Sequence, residues 1–189
     1  MYHIANDKRE YRSAEKLVAA AQRILLDTDP QKLTVSLLSR EAGVSRTTFY
    51  RLFDEPEDVL RFGVDQRFHD VVRGYVDLID RAVLHGLSVP NPLHWYEEVI
   101  RKNEDDLRAV LRSGNGELVR EAHKKALREF APVLFPDLEP DSEEFTFFVE
   151  LRAGIILSGL TAWVETGGSA TFEDFRRYAA RQLKLFSEE

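Results

Sequence analysis

The chain has 189 residues, 43% of them hydrophobic and 31% charged, which is the make-up of a folded globular protein and not of a disordered tail. It holds no cysteine, and that excludes disulfide frameworks, thiolate zinc sites and cysteine nucleophiles together. The net charge of −7 is unevenly spread: residues 1–53 carry nine Lys or Arg against six Asp or Glu, a surplus of three positive charges, so the remainder is ten net negative.

The opening MYHIANDKRE is polar and charged, with no apolar signal region, and a cytoplasmic protein is expected. Apolar residues then recur at helical spacing almost everywhere, and no stretch sustains the period-2 alternation of a strand. The expected fold is therefore all-α, with roughly nine helices. The first runs from Ala14 to Leu26, with apolar positions at 14, 17, 18, 21, 24 and 25, and Asp29-Pro30 ends it. Thr34 caps a short helix through Ala42, and Gly43 closes it in the left-handed conformation. Ser45 caps the next, to about Leu52. Asp54 then reads as a cap, with Pro56 in the tolerant first turn and Glu57 completing a capping box, for a long helix to about Leu84. His85-Gly86 and the Pro90/Pro92 loop end it. Further helices are expected near 93–112, 116–131, 142–166 and 171–187, separated by Gly114-Asn115-Gly116, by Pro132 to Pro140 and by Gly167-Gly168. Thr171-Phe172-Glu173-Asp174 reads as the cap of the last.

The three helices before Asp54 form a tri-helical unit whose second and third members are joined by Ala42-Gly43-Val44-Ser45. A short helix, a glycine-containing turn and a second helix make a helix-turn-helix. Val35, Leu38, Ala42, Val44, Phe49, Leu52 and Phe53 account for its core. Arg46, Thr47, Thr48, Tyr50 and Arg51 are left without a packing role. Arginine can bind guanine bidentately, and threonine offers a hydroxyl and a methyl to base edges. Tyr50 and Arg51 suit phosphates, which position a helix without reading sequence. The alternative reading is a solvated helix face with a partly buried tyrosine.

The run LTVSLLSREAGVSRTTFYRLFDEPEDVL, Leu33 to Leu60, resembles the DNA-binding region of TetR/AcrR-type transcriptional regulators. The matching positions are Thr34-Val35, Leu38-Ser39, Ala42-Gly43-Val44-Ser45, Phe49-Tyr50-Arg51-Leu52-Phe53 and Asp58-Val59-Leu60. The resemblance is close over this run and architectural over the rest. It implies a helix-turn-helix unit at 1–53 and an effector-binding and dimerisation body at 54–189. Thr34 and Ser36 become phosphate contacts, Ser45, Arg46, Thr47 and Thr48 the base-reading start of the recognition helix, and Tyr50 a phosphate-binding tyrosine. It further implies a dimeric regulator, a repressor by expectation, with a small-molecule effector and no metal or cofactor. The chain departs from the pattern at Ser39, where alanine is common, and at Pro56, set among Asp54, Glu55, Glu57 and Asp58 where lysine often meets phosphate. Hence a second reading, in which the same fold acts through a protein partner without direct DNA contact.

In the body, Val149 to Val164 is the longest apolar stretch, interrupted by Glu150, Arg152, Ser158 and Thr161. A bilayer span wants about 20 predominantly apolar residues, so a buried helix is expected. Gly154, Ser158 and Ala162 form a small-residue stripe on it, with Trp163 beside them. Phe172, Phe175, Ala179 and Leu183 recur at helical steps on the last helix. Two helices with surplus apolar surface point to a homodimer, which the resemblance also implies, rather than to a monomer core. A twofold dimer would match palindromic DNA. Phe62, Tyr75, Trp95, Tyr96 and Phe130 are the candidates to line an effector pocket, with core packing as the alternative. Catalysis finds no support. His94 and Glu98 lack a third metal ligand, Asp27-Thr28-Asp29 has Lys32 where a calcium loop needs glycine, and Gly114-x-Gly116 lacks a third glycine.

Overall fold

The computed structural model describes residues 1–4, 7–27, 33–88, 95, 101–167 and 171–184, with the side chains of 106, 172, 176, 179 and 182–184 left outside that description. Eight helices lie among the described residues: α1 Lys8–Asp27, α2 Val35–Ala42, α3 Arg46–Leu52, α4 Pro56–Leu84, α5 Glu104–Arg112, α6 Gly116–Leu134, α7 Glu143–Glu165 and α8 Phe172–Lys184. The expected breaks at Asp29-Pro30, Pro90/Pro92 and Gly168 fall outside the described residues. So do His94, Glu98, most of the first part of the 93–112 helix and residues 185–187.

Local chemistry sets most boundaries. Thr34 Oγ1 accepts from Leu37 N–H at 3.2 Å, and Ser45 Oγ accepts from Thr48 N–H at 3.1 Å, so both short helices are capped by hydroxyls. Gly43 sits at φ 62°, where a side chain is disfavoured. Ser142 Oγ accepts from Phe145 N–H at 3.0 Å, and Thr171 and Asp174 cap α8 reciprocally.

Four boundaries differ from expectation. The helix expected over 93–112 is interrupted at Asn103, after which α5 starts at Glu104. α1 starts at Lys8, well before Ala14, because Asp7 supplies the cap by accepting from Arg9 N–H at 2.7 Å. α4 uses Glu55 as its N-cap and Asp58 as the box residue, one position later than Asp54 and Glu57: Asp58 accepts from Glu55 N–H at 3.2 Å, while Asp54 is engaged with His3. α6 passes through Pro132 and ends at Leu134; a proline this near the end removes one ladder bond in a turn that is about to stop.

The core joins the helix-turn-helix unit to the body without a gap. Ala14, Leu17 and Ala21 of α1 pack with Leu38, Phe49, Leu52 and Phe53, and the same cluster continues into Val59, Leu60 and Phe62 of α4, Ala109 of α5 and Leu118 of α6. A second cluster of Val64, Phe68 and Val72 with Val119, Ala122, Ile156 and Leu160 fills the space between α4, α6 and α7. α4 therefore serves both cores, and it fixes where the unit sits on the body.

Candidate nucleic-acid interface

α3 is two-sided. Phe49, Leu52 and the following Phe53 are wholly buried, and Arg46, Thr47, Tyr50 and Arg51 are exposed on the opposite face. Tyr50 remains 52% exposed, with its ring edge-on to Phe49 at 5.5 Å, so the phenol stands out from the surface on a buried aromatic base. Thr34 and Ser36 are also exposed, at the first turn of α2. Three hydroxyls are less free than the sequence suggests. Ser45 Oγ and Thr48 Oγ1 lie 2.9 Å apart while Ser45 caps the helix, so this pair is already hydrogen-bonded. Thr34 spends an acceptor site on its cap and keeps its O–H to donate. Arg51 leans back to Glu10 of α1, with Nε 3.3 Å from Oε1. Five N–H groups let its guanidinium share that carboxylate with a phosphate.

The acidic start of α4 is more neutral than its sequence. His3 Nε2 lies 2.9 Å from Asp54 Oδ1, and the Met1 amine reaches both Asp54 and the buried Asp58. Glu57 pairs with Arg61 at 3.1 Å. Hydrogen bonds to Asp58 and then Asp54 raise the Met1 amine above its ordinary value, and the same amine, followed by His3, lowers Asp54. Of the four carboxylates, Glu55 and Glu57 remain the solvent-exposed contributors beside Asp54, while Asp58 is turned inward.

The residues expected at a dimer interface divide. α7 buries Phe145, Val149, Ala153, Ile156 and Leu160 on one side. On the other, Phe147 and Leu151 are each 61% exposed, Ser158 and Ala162 are exposed, and a Cβ at Gly154 would meet nothing within 4 Å. Trp163 turns inward, half-buried under the Arg108 guanidinium at 4.9 Å. Phe175 packs within the chain, its ring 2.7 Å from where a Cβ on Gly159 would stand. The side chains of Phe172, Ala179 and Leu183 lie outside the described residues. α7 is long and apolar enough to cross a membrane by length and composition, but its inner stripe is committed to α6. Glu150 in its middle pairs with Arg120 at 2.9 Å and with Lys124, both on α6.

Among the aromatic candidates for an effector pocket, Phe62 stands apart from Tyr75, Trp95 and Phe130, which lie along the 69–75 stretch of α4. Phe62 belongs to the first core, edge-on to Tyr2 at 5.3 Å and Tyr11 at 5.9 Å. Tyr75 is buried further along α4, a separation of about 20 Å at 1.5 Å per residue. Trp95 lies against Gly74 and donates from Nε1 to the Val71 carbonyl at 2.8 Å, and Phe130 tilts against His69 at 5.5 Å. Tyr96 lies outside the described residues. Phe62 does border a cleft between α1 and α4, with Tyr11, Glu15, Gln22, Gln66 and Arg67. What sequence reasoning missed is the N-terminal segment. Tyr2 bridges Phe53, and the only signal for it was the apolar-polar-apolar alternation Tyr2-His3-Ile4.

The fold is an all-helical one with a helix-turn-helix unit seated on a larger helical body. It is similar to the structure of the fatty acid degradation regulator FadR from Bacillus halodurans, with a TM-score of 0.51, 18% identity, and coverage of 85% of this chain and 88% of that one. At that identity the likeness carries the fold alone. No protein-family model and no curated protein sequence matches the chain.

Proposed function

We propose that the chain is a dimeric, cytoplasmic DNA-binding transcriptional regulator of the TetR/AcrR type, a repressor, with residues 1–53 as the reading unit and 54–189 as the body for dimerisation and a small-molecule effector. The observation that carries this reading is the two-sidedness of α3: a fully buried aromatic face holds the helix while Arg46, Thr47 and Tyr50 stand in solvent. The fold shared with a fatty acid degradation regulator supports the same assignment. In this reading Arg46 takes a guanine edge, and Thr47 with the Ser45–Thr48 pair meets neighbouring bases. Thr34 and Ser36 hold one stretch of phosphates, Tyr50 and Arg51 another. The exposed α7 stripe meets its copy, and the two reading helices address a palindrome with half-sites roughly 34 Å apart or a multiple of it.

The test is binding to DNA from the region upstream of the chain's own gene, against unrelated DNA, over a salt series. A reader prefers the upstream fragment and loses affinity steeply as salt rises. Equal binding to both fragments, or none to either, overturns the reading and leaves the α3 face to a protein partner. Glu55 and Glu57 beside it, in place of a phosphate-binding lysine, are the features that favour such a partner.

A further inference from the structure

Residues 1–4 cross the end of α3 and the start of α4. His3 N–H donates to the Leu52 carbonyl at 2.8 Å, Asp54 N–H donates to the Met1 carbonyl at 3.2 Å, and Tyr2 pairs with Phe53 between them. The Leu52 carbonyl belongs to the last turn of α3, where no intrahelical donor follows, so the segment occupies a group the helix leaves open. From this bridge the Tyr2 ring rests edge-on against Phe62 of α4 at 5.3 Å. Its hydroxyl donates to Asp65 Oδ2 at 2.7 Å. Lys125 of α6 donates to the same oxygen at 2.8 Å and to the Tyr2 hydroxyl at 3.1 Å, with its ammonium 5.7 Å from the ring centroid.

We propose that Tyr2, Asp65 and Lys125 are positioning residues that lock the angle of the recognition helix against the body. Three parts of the molecule meet in this triad: the segment hydrogen-bonded to the end of α3, the long helix α4, and α6 of the body. The Asp65 side chain is only 14% exposed and takes two donors, so its bonds are charge-assisted and partly shielded from water. The shared hydrophobic core sets the contact between unit and body, but apolar packing is non-directional. Directional bonds at the far end of α3 remove the remaining freedom to roll. The consequence at DNA rests on the proposed reading function: two helices that must enter the same face of a duplex tolerate little error in their relative angle.

The experiment separates geometry from DNA binding. The chain has no cysteine, so Arg40→Cys on α2 and Arg112→Cys on α5 give one spin-label pair across the junction. Labelled chains diluted with unlabelled ones report only distances within a chain. The parent should give a narrow distribution. Tyr2→Phe keeps the ring on Phe62 and removes only the hydroxyl; it and Lys125→Met should both broaden the distribution with the melting transition still cooperative. Lys125→Arg should restore the narrow form. Unchanged distributions in Tyr2→Phe and Lys125→Met overturn the proposal, as does broadening that Lys125→Arg fails to reverse. On two-half-site DNA, Tyr2→Phe should bind about tenfold more weakly, with affinity for unrelated DNA unchanged. Broadening in the variants with no DNA binding even by the parent supports the lock and removes the reading function instead.

Discussion

His123 is the residue whose environment departs furthest from what its neighbours in sequence suggest. Beside Lys124 and Lys125 it reads as a surface histidine, yet it is 2% exposed and stacks on Phe68 at 5.1 Å. Burial, followed by the charge of Arg152, pulls its pKa from 6.5 down to about 3. The folded chain thus keeps it neutral where the unfolded chain protonates it. Its contribution is fully present above pH 6.5 and is lost progressively as pH falls toward 3. Between those values the slope approaches ~1.4 kcal/mol per pH unit. His123→Leu should therefore flatten the fall in melting temperature below pH 6.5, measured by scanning calorimetry against the parent. Parallel curves for the two proteins contradict this. The sequence could not reveal the burial, because His123 owes it to Phe68 on α4, far away in the chain. The exposure of the α3 residues was legible, since it follows from what their own helix leaves over once Phe49, Leu52 and Phe53 are spent on the core.

At the scale of the helix, caps were the most legible feature and their register the least. Thr34, Ser45 and Thr171 all cap where the sequence places them, because a hydroxyl that accepts from an amide in the following turn is a local event. Ser45→Ala removes the acceptor for Thr48 N–H and should cost about 1 kcal/mol in chemical denaturation. The exposed neighbour Thr47→Ala should stay within about 0.5 kcal/mol of the parent. Equal losses in the two variants would mean that the cap does not hold α3 in place. The start of α4 was misplaced by one residue for a non-local reason: Asp54 is taken by the N-terminal segment, and the cap passes to Glu55 with Asp58. The same segment hid its own structure. Four residues of strand-like alternation are too short to read until Phe53 is there to pair with.

For the whole molecule, the division at 53/54 follows motif boundaries, and the hydrophobic core ignores it. Phe62 looked like a body aromatic and lies in the first core instead, because α4 carries apolar residues for both clusters along one helix. The surplus apolar surface of α7 was legible as a count of residues, whereas which of them face outward depended on where α5 and α8 pack. Trp163 and Phe175 are spent inside the chain; Phe147, Leu151 and the Gly154–Ser158–Ala162 stripe are left outside. A dimer through this face predicts that Leu151→Glu shifts the sedimentation profile from dimer to monomer while the helical circular dichroism is unchanged. Retention of the parent sedimentation behaviour would place any self-association elsewhere.

The claim on which the rest depends is that the solvent-facing side of α3 reads bases. Affinity of the parent and of Arg46→Ala for the upstream fragment, and for copies of it carrying single base changes, tests that most directly. Removal of a bidentate base contact should cost about 1–3 kcal/mol and abolish discrimination at one base pair in each half-site, leaving preferences elsewhere intact. An Arg46→Ala chain that binds every copy as the parent does contradicts the account.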